Sequence, residues 1–324
     1  MPSRLLSVIL FTGILATGVS SAQEGIAEVP VPRNVYGAII ACGADDQAYF
    51  SSIGGEYFVL RTSLDGSSLT FRLPKAAYAY AGAVAPYTSG VNVLSSWTDR
   101  TKFVRTMYHF DEQGNLLAQH SVRVDLTDMM MVITRSGTTI LVGHRDEDGQ
   151  YKGLILDSED RIVSRFDLPS PPDGGEWTYG EGHSPSDRLL MTTGDRAAYV
   201  LLHSNEPPST MIATISEHGK VSVKTLEPIS EDHQYIRWLV GPGVAVEQYR
   251  LTGDRRRVNG HPVWNFDEYD LKSGNRIANK IAPMGEFTPF SGACYYGDSV
   301  TGLGSRIQVP PDEPYLRLRI AKLQ

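Results

Sequence analysis

Apolar positions along the chain alternate with polar ones at a period of two, in short runs that break at Asp, Asn, Ser and Gly. One phrase recurs: an apolar strand, a tight turn, then a second alternating strand. It reads Tyr57 to Gly66 followed by Leu69 to Leu73, then Met107 to Leu117, Gly153 to Val163, Met211 to Val221 and Phe266 to Ile277. Alternation on both sides of a short turn rich in those residues predicts a β-hairpin. The turn markers Gly66, Gly114, Asp160, Gly219 and Gly274 follow one another at intervals of 48, 46, 59 and 55 residues. A further strand pair lies between successive phrases, for example Thr139 to Gly143 and Ala198 to Leu202. Each unit therefore holds four strands, and a four-strand unit repeating every 40–50 residues or so describes propeller blades. Sustained i, i+3, i+4 apolar spacing is missing, so helices are not expected. A β-sandwich also uses many short strands, but it has no reason to repeat one hairpin at near-constant spacing.

The two ends complete the count. After Gly274 remain 50 residues, enough for one more unit, opening at Ser291-Gly292-Ala293-Cys294 and finishing with the alternating run Tyr315 to Ile320. That unit lacks a fourth strand. Ile26 to Val31 precedes the first unit and has the pattern of an unpaired strand. Adding it to the last unit would leave no exposed edge, and Pro30 and Pro32 are tolerable on an outermost strand. The expected fold is all-β, a six-bladed β-propeller whose ring is closed by an N-terminal strand added to the last blade. Closure would also bring Cys42, at the start of blade one, towards Cys294, at the start of blade six. A disulfide there and two buried thiols both fit the spacing.

The first 22 residues carry Arg4, an apolar run from Leu5 to Ala16, and Ser20-Ser21-Ala22 before Gln23. This is the layout of a secretory signal peptide, and the run is short of the roughly 20 residues of a membrane span. The expected organisation is a signal peptide over residues 1–22 and a propeller domain over 23–324, in an exported chain that is periplasmic or extracellular, monomeric and not inserted in a membrane. Removing residues 1–22 takes away one arginine and no acid, moving the net charge from −7 to −8. Such a balance gives no reason to expect nucleic acid as a partner. The one dense basic run, Arg255-Arg256-Arg257, is flanked by turn residues and reads as a solvated hairpin tip.

In its hairpin rhythm the mature chain resembles the six-bladed propellers of bacterial envelope proteins, a broad group with TolB-like, NHL-like and lactonase-like members. The resemblance carries no functional motif. It implies either a binding or scaffold protein presenting one propeller face to an envelope protein, peptide or glycan, or a lactonase-like hydrolase with a divalent metal at the mouth of the central channel. The first reading needs no cofactor and no metal. Gly-x-Ser-x-Gly, Ser-x-x-Lys, His-Glu-x-x-His and phosphate-binding glycine loops are all missing from the sequence.

Candidate chemistry concentrates in the long connection from Ser170 to Pro185. There Trp177, Tyr179, Glu181 and His183 alternate, so an extended chain would project all four to one side. Two aromatics, a carboxylate and an imidazole suit a sugar or another small ligand, whereas covering a blade interface would use the same aromatics. Asp45, Asp46, Asp128, Asp195 and Asp298 fall near expected inner strands, where they would line the channel as a hydrated ring or hold the metal of the second reading. Asp146-Glu147-Asp148-Gly149 lacks the downstream ligands of a calcium loop and reads as a turn. His144 and His203 fall on alternating strands, as edge or core residues with a satisfied nitrogen.

Overall fold

The computed structural model describes residues 26–31, 35, 39–43, 47–52, 58–63, 65–74, 79–97, 104–144, 150–170, 190–194, 196–205, 208–227, 230–258, 261–283, 293–305 and 316–324. These residues form six antiparallel sheets and no helix.

Strand β1 (Ile26–Val31) belongs to the last sheet. Blade one runs β2 (Ala41–Cys42), β3 (Ala48–Ser51), β4 (Phe58–Thr62) and β5 (Ser68–Arg72). Blade two is β6 (Ala79–Tyr87), β7 (Gly90–Trp97), β8 (Val104–Asp111) and β9 (Leu116–Arg123). Blade three is β10 (Thr127–Ile133), β11 (Thr139–His144), β12 (Tyr151–Leu156) and β13 (Ile162–Asp167). Blade four is β14 (Leu190–Thr193), β15 (Ala197–Asn205), β16 (Pro208–Ser216) and β17 (Val221–Thr225). Blade five holds β18 (His233–Gly241) and β19 (Val244–Leu251), then a short extra strand β20 (Arg257–Val258) that pairs with the start of β21 (His261–Asp270), and finally β22 (Arg276–Pro283). Blade six is β23 (Ala293–Tyr295), β24 (Ser299–Ser305) and β25 (Leu316–Lys322), with β1 as its outermost strand. The first strands of successive blades adjoin, which places them at the ring's centre.

Burial follows that radial order. The second strand of a blade is covered on both faces, and β11 is buried from Thr139 to Gly143. The outer strand β13 alternates between exposed residues and half-buried or buried ones, Phe166 being buried. Six hydrophobic clusters fill the six spaces between blades. Between blades three and four, Ile140, Val142 and Ile155 meet Val200, Leu202 and Ala213. Between blades two and three, Leu94 and Met107 meet Leu141, Leu154 and Leu156. Side chains from the two faces of one sheet thus serve two different interfaces, so each blade depends on both neighbours.

The seam is closed twice. Strand β1 pairs antiparallel with β25 in a continuous register from Ile26↔Ala321 to Val31↔Leu316. Val29 and Val31 are buried against blade one beside Phe50, Phe58 and Leu60. Cys42 on β2 and Cys294 on β23 are joined by a disulfide, with Cα atoms 5.6 Å apart. Of the two arrangements open to the cysteines, the ring selects the bond. It links residues 252 apart in sequence. Cross-linking so distant a pair removes much of the freedom of the unfolded chain, worth about 2–5 kcal/mol. The double variant Cys42→Ser/Cys294→Ser should therefore lose about 2–5 kcal/mol in urea unfolding, and the oxidised wild type should lose the same on reduction.

Candidate functional site

Four of the five recurrent turns share one geometry and the fifth, ending on Gly274, is one residue longer; one of the four departs from the repeat in a single residue. In each, the marker's N–H donates to the carbonyl at the turn's start: Gly66 to Ser63, Gly114 to Asp111, Asp160 to Asp157, Gly219 to Ser216 and Gly274 to Asp270. The marker takes a positive φ of 83°, 86°, 60°, 81° and 74° respectively. That is the left-handed position at the end of a short hairpin loop, which favours glycine. Asp160 is the one non-glycine with positive φ among the described residues.

The surroundings of the marker explain both the rule and the departure. A Cβ added at Gly219 would lie 2.8 Å from Ser164 Oγ and 3.7 Å from Ile155 Cδ1, and one at Gly114 would lie 3.2 Å from the Thr70 carbonyl oxygen. The markers Gly114, Gly219 and Gly274 thus look onto the outer part of the preceding blade. For Asp160 that part is strands β8 and β9 of blade two. There the carboxylate Oδ2 lies 2.6 Å from His109 Nε2 and 2.6 Å from His120 Nδ1. His109 stands two residues before its turn, as Ile155 does in blade three, so an imidazole facing Asp160 replaces the Ile155–Gly219 contact of the next interface.

Strand register puts the imidazoles together. His120 pairs with Met107 across β8 and β9, and His109 pairs with Ala118 on β9 and with Asn92 on β7. Met107, His109 and His120 therefore share the sheet face that looks toward blade three, the rings 5.4 Å apart. His109 Nδ1 lies 2.9 Å from Asn92 Oδ1, and Asn92 is buried. The Asp160 side chain is 1% exposed and that of His120 is 41% exposed. The second carboxylate oxygen, Asp160 Oδ1, is buried without a hydrogen-bond partner. His109, His120 and Asp160 each offer one ligand atom, and the three atoms lie within 4.8 Å of one another, the one such group of three or more among the described residues.

A second polar island lies between blades four and five. Glu247 on β19 and Asp267 on β21 are directly opposite one another, both fully buried. Glu247 Oε1 lies 2.8 Å from His233 Nδ1, and its Oε2 accepts from the Tyr269 hydroxyl at 3.3 Å. Arg276 donates to Asp267 Oδ1 at 2.8 Å, as does Asn279 at 2.5 Å. Loss of solvent raises the Glu247 carboxyl above its ordinary range, against the opposing pull of His233. Burial also pushes the Tyr249 hydroxyl up to about 12, with Asp267 adding to the rise, and lifts Tyr269 for the same first reason, with Glu247 next. His233 stacks on Tyr249 with ring centres 3.5 Å apart. Between blades five and six, Lys280 and the Tyr295 hydroxyl both bind Glu268.

Among the residues singled out from the sequence, Trp177, Tyr179, Glu181 and His183 lie outside the described residues, as do Asp45, Asp46, Asp195 and the stretch Asp146 to Gly149. The signal-peptide residues 1–22 also lie outside them. Asp128 is described only in its backbone, within β10. Asp298 sits exposed at the β23–β24 turn, with its carboxyl lowered by hydrogen bonding to Ser299 and by the charge of Lys322 on β25. His203 is buried, with Nδ1 2.8 Å from Thr210 Oγ1, and His144 is half-buried with its ring centre 5.4 Å from that of Tyr151, edge to face. Arg255, Arg256 and Arg257 are exposed, and Arg256 pairs with Asp254. No helix of the described residues is long and apolar enough to cross a membrane. Sequence reasoning passed over His109, His120, Glu247 and Asp267, because their meaning lies in partners 40 and 51 residues away or on the next strand.

The sheet topology defines the chain as a six-bladed β-propeller. No known protein family and no curated relative matches it. Similar solved structures include the Pan2 WD40 domain of Neurospora crassa, at 11% identity over 88% of each chain with a TM-score of 0.44. The Dos1 propeller shares 9% identity over 85% of this chain and 74% of its own, also at 0.44. The hydrazine synthase of Kuenenia stuttgartiensis shares 11% over 85% and 78%, again at 0.44.

The raised Glu247 carboxyl yields a pH prediction. Its folded-state pKa exceeds the unfolded one, so the folded protein takes up the proton first. The stability this group contributes is then greatest below the unfolded value of about 4.3 and is lost as pH rises through the folded one. Glu247→Gln, which is neutral throughout and still accepts from Tyr269, should melt with the wild type near pH 4 and above it at pH 8. Thermal scans across that range check the sign.

Proposed function

We propose that the chain is an exported binding or scaffold protein that presents one face of a rigid propeller to a protein, peptide or glycan of the cell envelope. The observation that carries this reading is the Cys42–Cys294 disulfide across the ring's seam. Disulfides persist in oxidising compartments, which accords with the signal-peptide layout of residues 1–22 and cleavage before Gln23. A ring locked at its seam also holds its loops at little entropic loss on binding, the usual advantage of a preorganised surface. The contact residues in this reading are Trp177, Tyr179, Glu181 and His183 of the long connection between blades three and four. Their alternation supports it: the aromatics would stack on a sugar ring or apolar side chain, while the carboxylate and imidazole hydrogen-bond its polar edge.

Two measurements test the proposal. Residues 1–22 fused to a phosphatase lacking its own leader should deliver activity outside the cytoplasm, and the mature protein should begin at Gln23. In titrations of the mature protein with cell-wall glycan fragments and peptides, followed by tryptophan fluorescence, Trp177→Ala/Tyr179→Ala should weaken binding by roughly tenfold or more. Unchanged affinity in that variant would move the contact surface elsewhere on the ring, and cytoplasmic retention of the reporter would remove the exported reading.

A further inference from the structure

We propose that His109, His120 and Asp160 form a binding site for a divalent first-row transition metal ion of the Zn2+ class, clamping blade two to blade three. Three independent observations converge on this site, and the repeat itself supplies the comparison.

The first is the departure from glycine. Turns that share the Asp160 backbone geometry carry Gly66, Gly114 and Gly219 at the same position, and the longer turn of blade five ends on Gly274. An L-residue with its φ at +60° is disfavoured by about 1 kcal/mol. The chain accepts that strain at the one interface where the marker faces two imidazoles. At the next interface the same places hold Gly219 and Ile155, whose contact needs no polar chemistry.

The second is the way the ligand atoms are aimed. An ionised carboxylate has about four lone-pair sites over its two oxygens. Here both imidazoles converge on Oδ2 at 2.6 Å, while Oδ1 is buried with no hydrogen-bond partner. Two imidazole nitrogens and a carboxylate oxygen within 4.8 Å of one another match the donor set of a metal. Tetrahedral ligand legs of about 2.0–2.1 Å need nitrogen and oxygen roughly 3.3 Å apart, so each nitrogen–oxygen pair has to open by about 0.7 Å.

The third is the hydrogen bond behind His109. With Asn92 Oδ1 as acceptor, the proton of a neutral His109 ring sits on Nδ1, which turns the Nε2 lone pair toward Asp160. Without a proton or cation between them, that lone pair and the carboxylate oxygen would repel. A metal ion satisfies Nε2, His120 Nδ1 and Oδ2 together, and Asn92 then plays the outer partner that orients a metal-ligating histidine. Two imidazoles and one carboxylate suit Zn2+, Fe2+ or Co2+ better than Mg2+ or Ca2+, which prefer all-oxygen sites. His120 is 41% exposed, so the group borders solvent on that side.

The test uses the mature chain without an affinity tag, stripped with a chelator and then titrated with Zn2+. One equivalent should bind, with no comparable uptake of Mg2+ or Ca2+. Co2+ should give a visible absorption band of low-symmetry coordination. Zn2+ should raise Tm by at least about 2 °C, since only the folded ring joins the two blades.

Asp160→Gly restores the residue that the other turns use, so it should fold as the wild type does. It should bind Zn2+ at least about 100-fold more weakly and show no metal-dependent rise in Tm. Asn92→Ala should weaken binding by about 10–100-fold. If Asp160→Gly fails to fold, His120→Gln on the outer strand removes a ligand without touching the turn, and the same losses are expected. Wild-type affinity no higher than that of the ligand variants, or full binding retained in them, would overturn the proposal.

Discussion

The structure depends on one constraint: a ring of sheets must close, and closure here rests on the seam between blade six and blade one. An open stack of twisted sheets would leave two apolar faces and two edge strands in water. Strand β1 answers both problems at once. Its backbone completes the hydrogen bonding of β25, and its Val29 and Val31 side chains complete the core against blade one. The Cys42–Cys294 bond fastens the same seam from the inner strands. Outer strand and inner disulfide act at opposite radii of one interface, so neither end of the chain can peel away without unpicking a sheet or breaking a covalent bond.

With the ring closed, the apolar work divides evenly among six interfaces, and polar groups can be lodged at some of them. Blades three and four meet through an aliphatic cluster around Ile140 and Val200. Blades four and five meet around Trp238 and Tyr269, beside the buried Glu247 and Asp267. These carboxylates lie off the central channel on middle strands, each held by a cation or hydrogen-bond donor from a neighbouring strand. Such groups favour one register of the blades over sliding alternatives, because a slip of one residue would strand a buried carboxylate away from its partner.

Repetition makes departures readable. Of the five recurrent turns, four carry glycine at the left-handed position, and the exception is a carboxylate placed between two imidazoles of the adjacent blade. The His109–His120–Asp160 group lies on outer strands, at the periphery of the ring. It is therefore distinct in place from the channel mouth to which the lactonase-like resemblance would assign a metal. Its position between two blades suits an ion that joins elements.

How much of this was legible in the chain follows from the range over which each feature is decided. Hairpins are decided within about a dozen residues, so alternation and turn chemistry alone marked the blades, the missing fourth strand of the last one, and the N-terminal run that fills it. The fifth strand β20 escaped notice because two residues, Arg257 and Val258, are too few to show a period. The cysteines could be brought near each other by the expected ring, but only the tertiary structure decided that they bond. Asp160 was visible as a turn marker without glycine, yet nothing nearby in sequence gave that a meaning. Its partners come from another blade, through a register that pairs Met107 with His120 and a ring order that turns this face toward blade three. Local periodicity determined what each unit is, because backbone hydrogen bonding and side-chain alternation act between near neighbours. Which side chains meet across units was decided by packing, since that depends on the twist and closure of the whole ring.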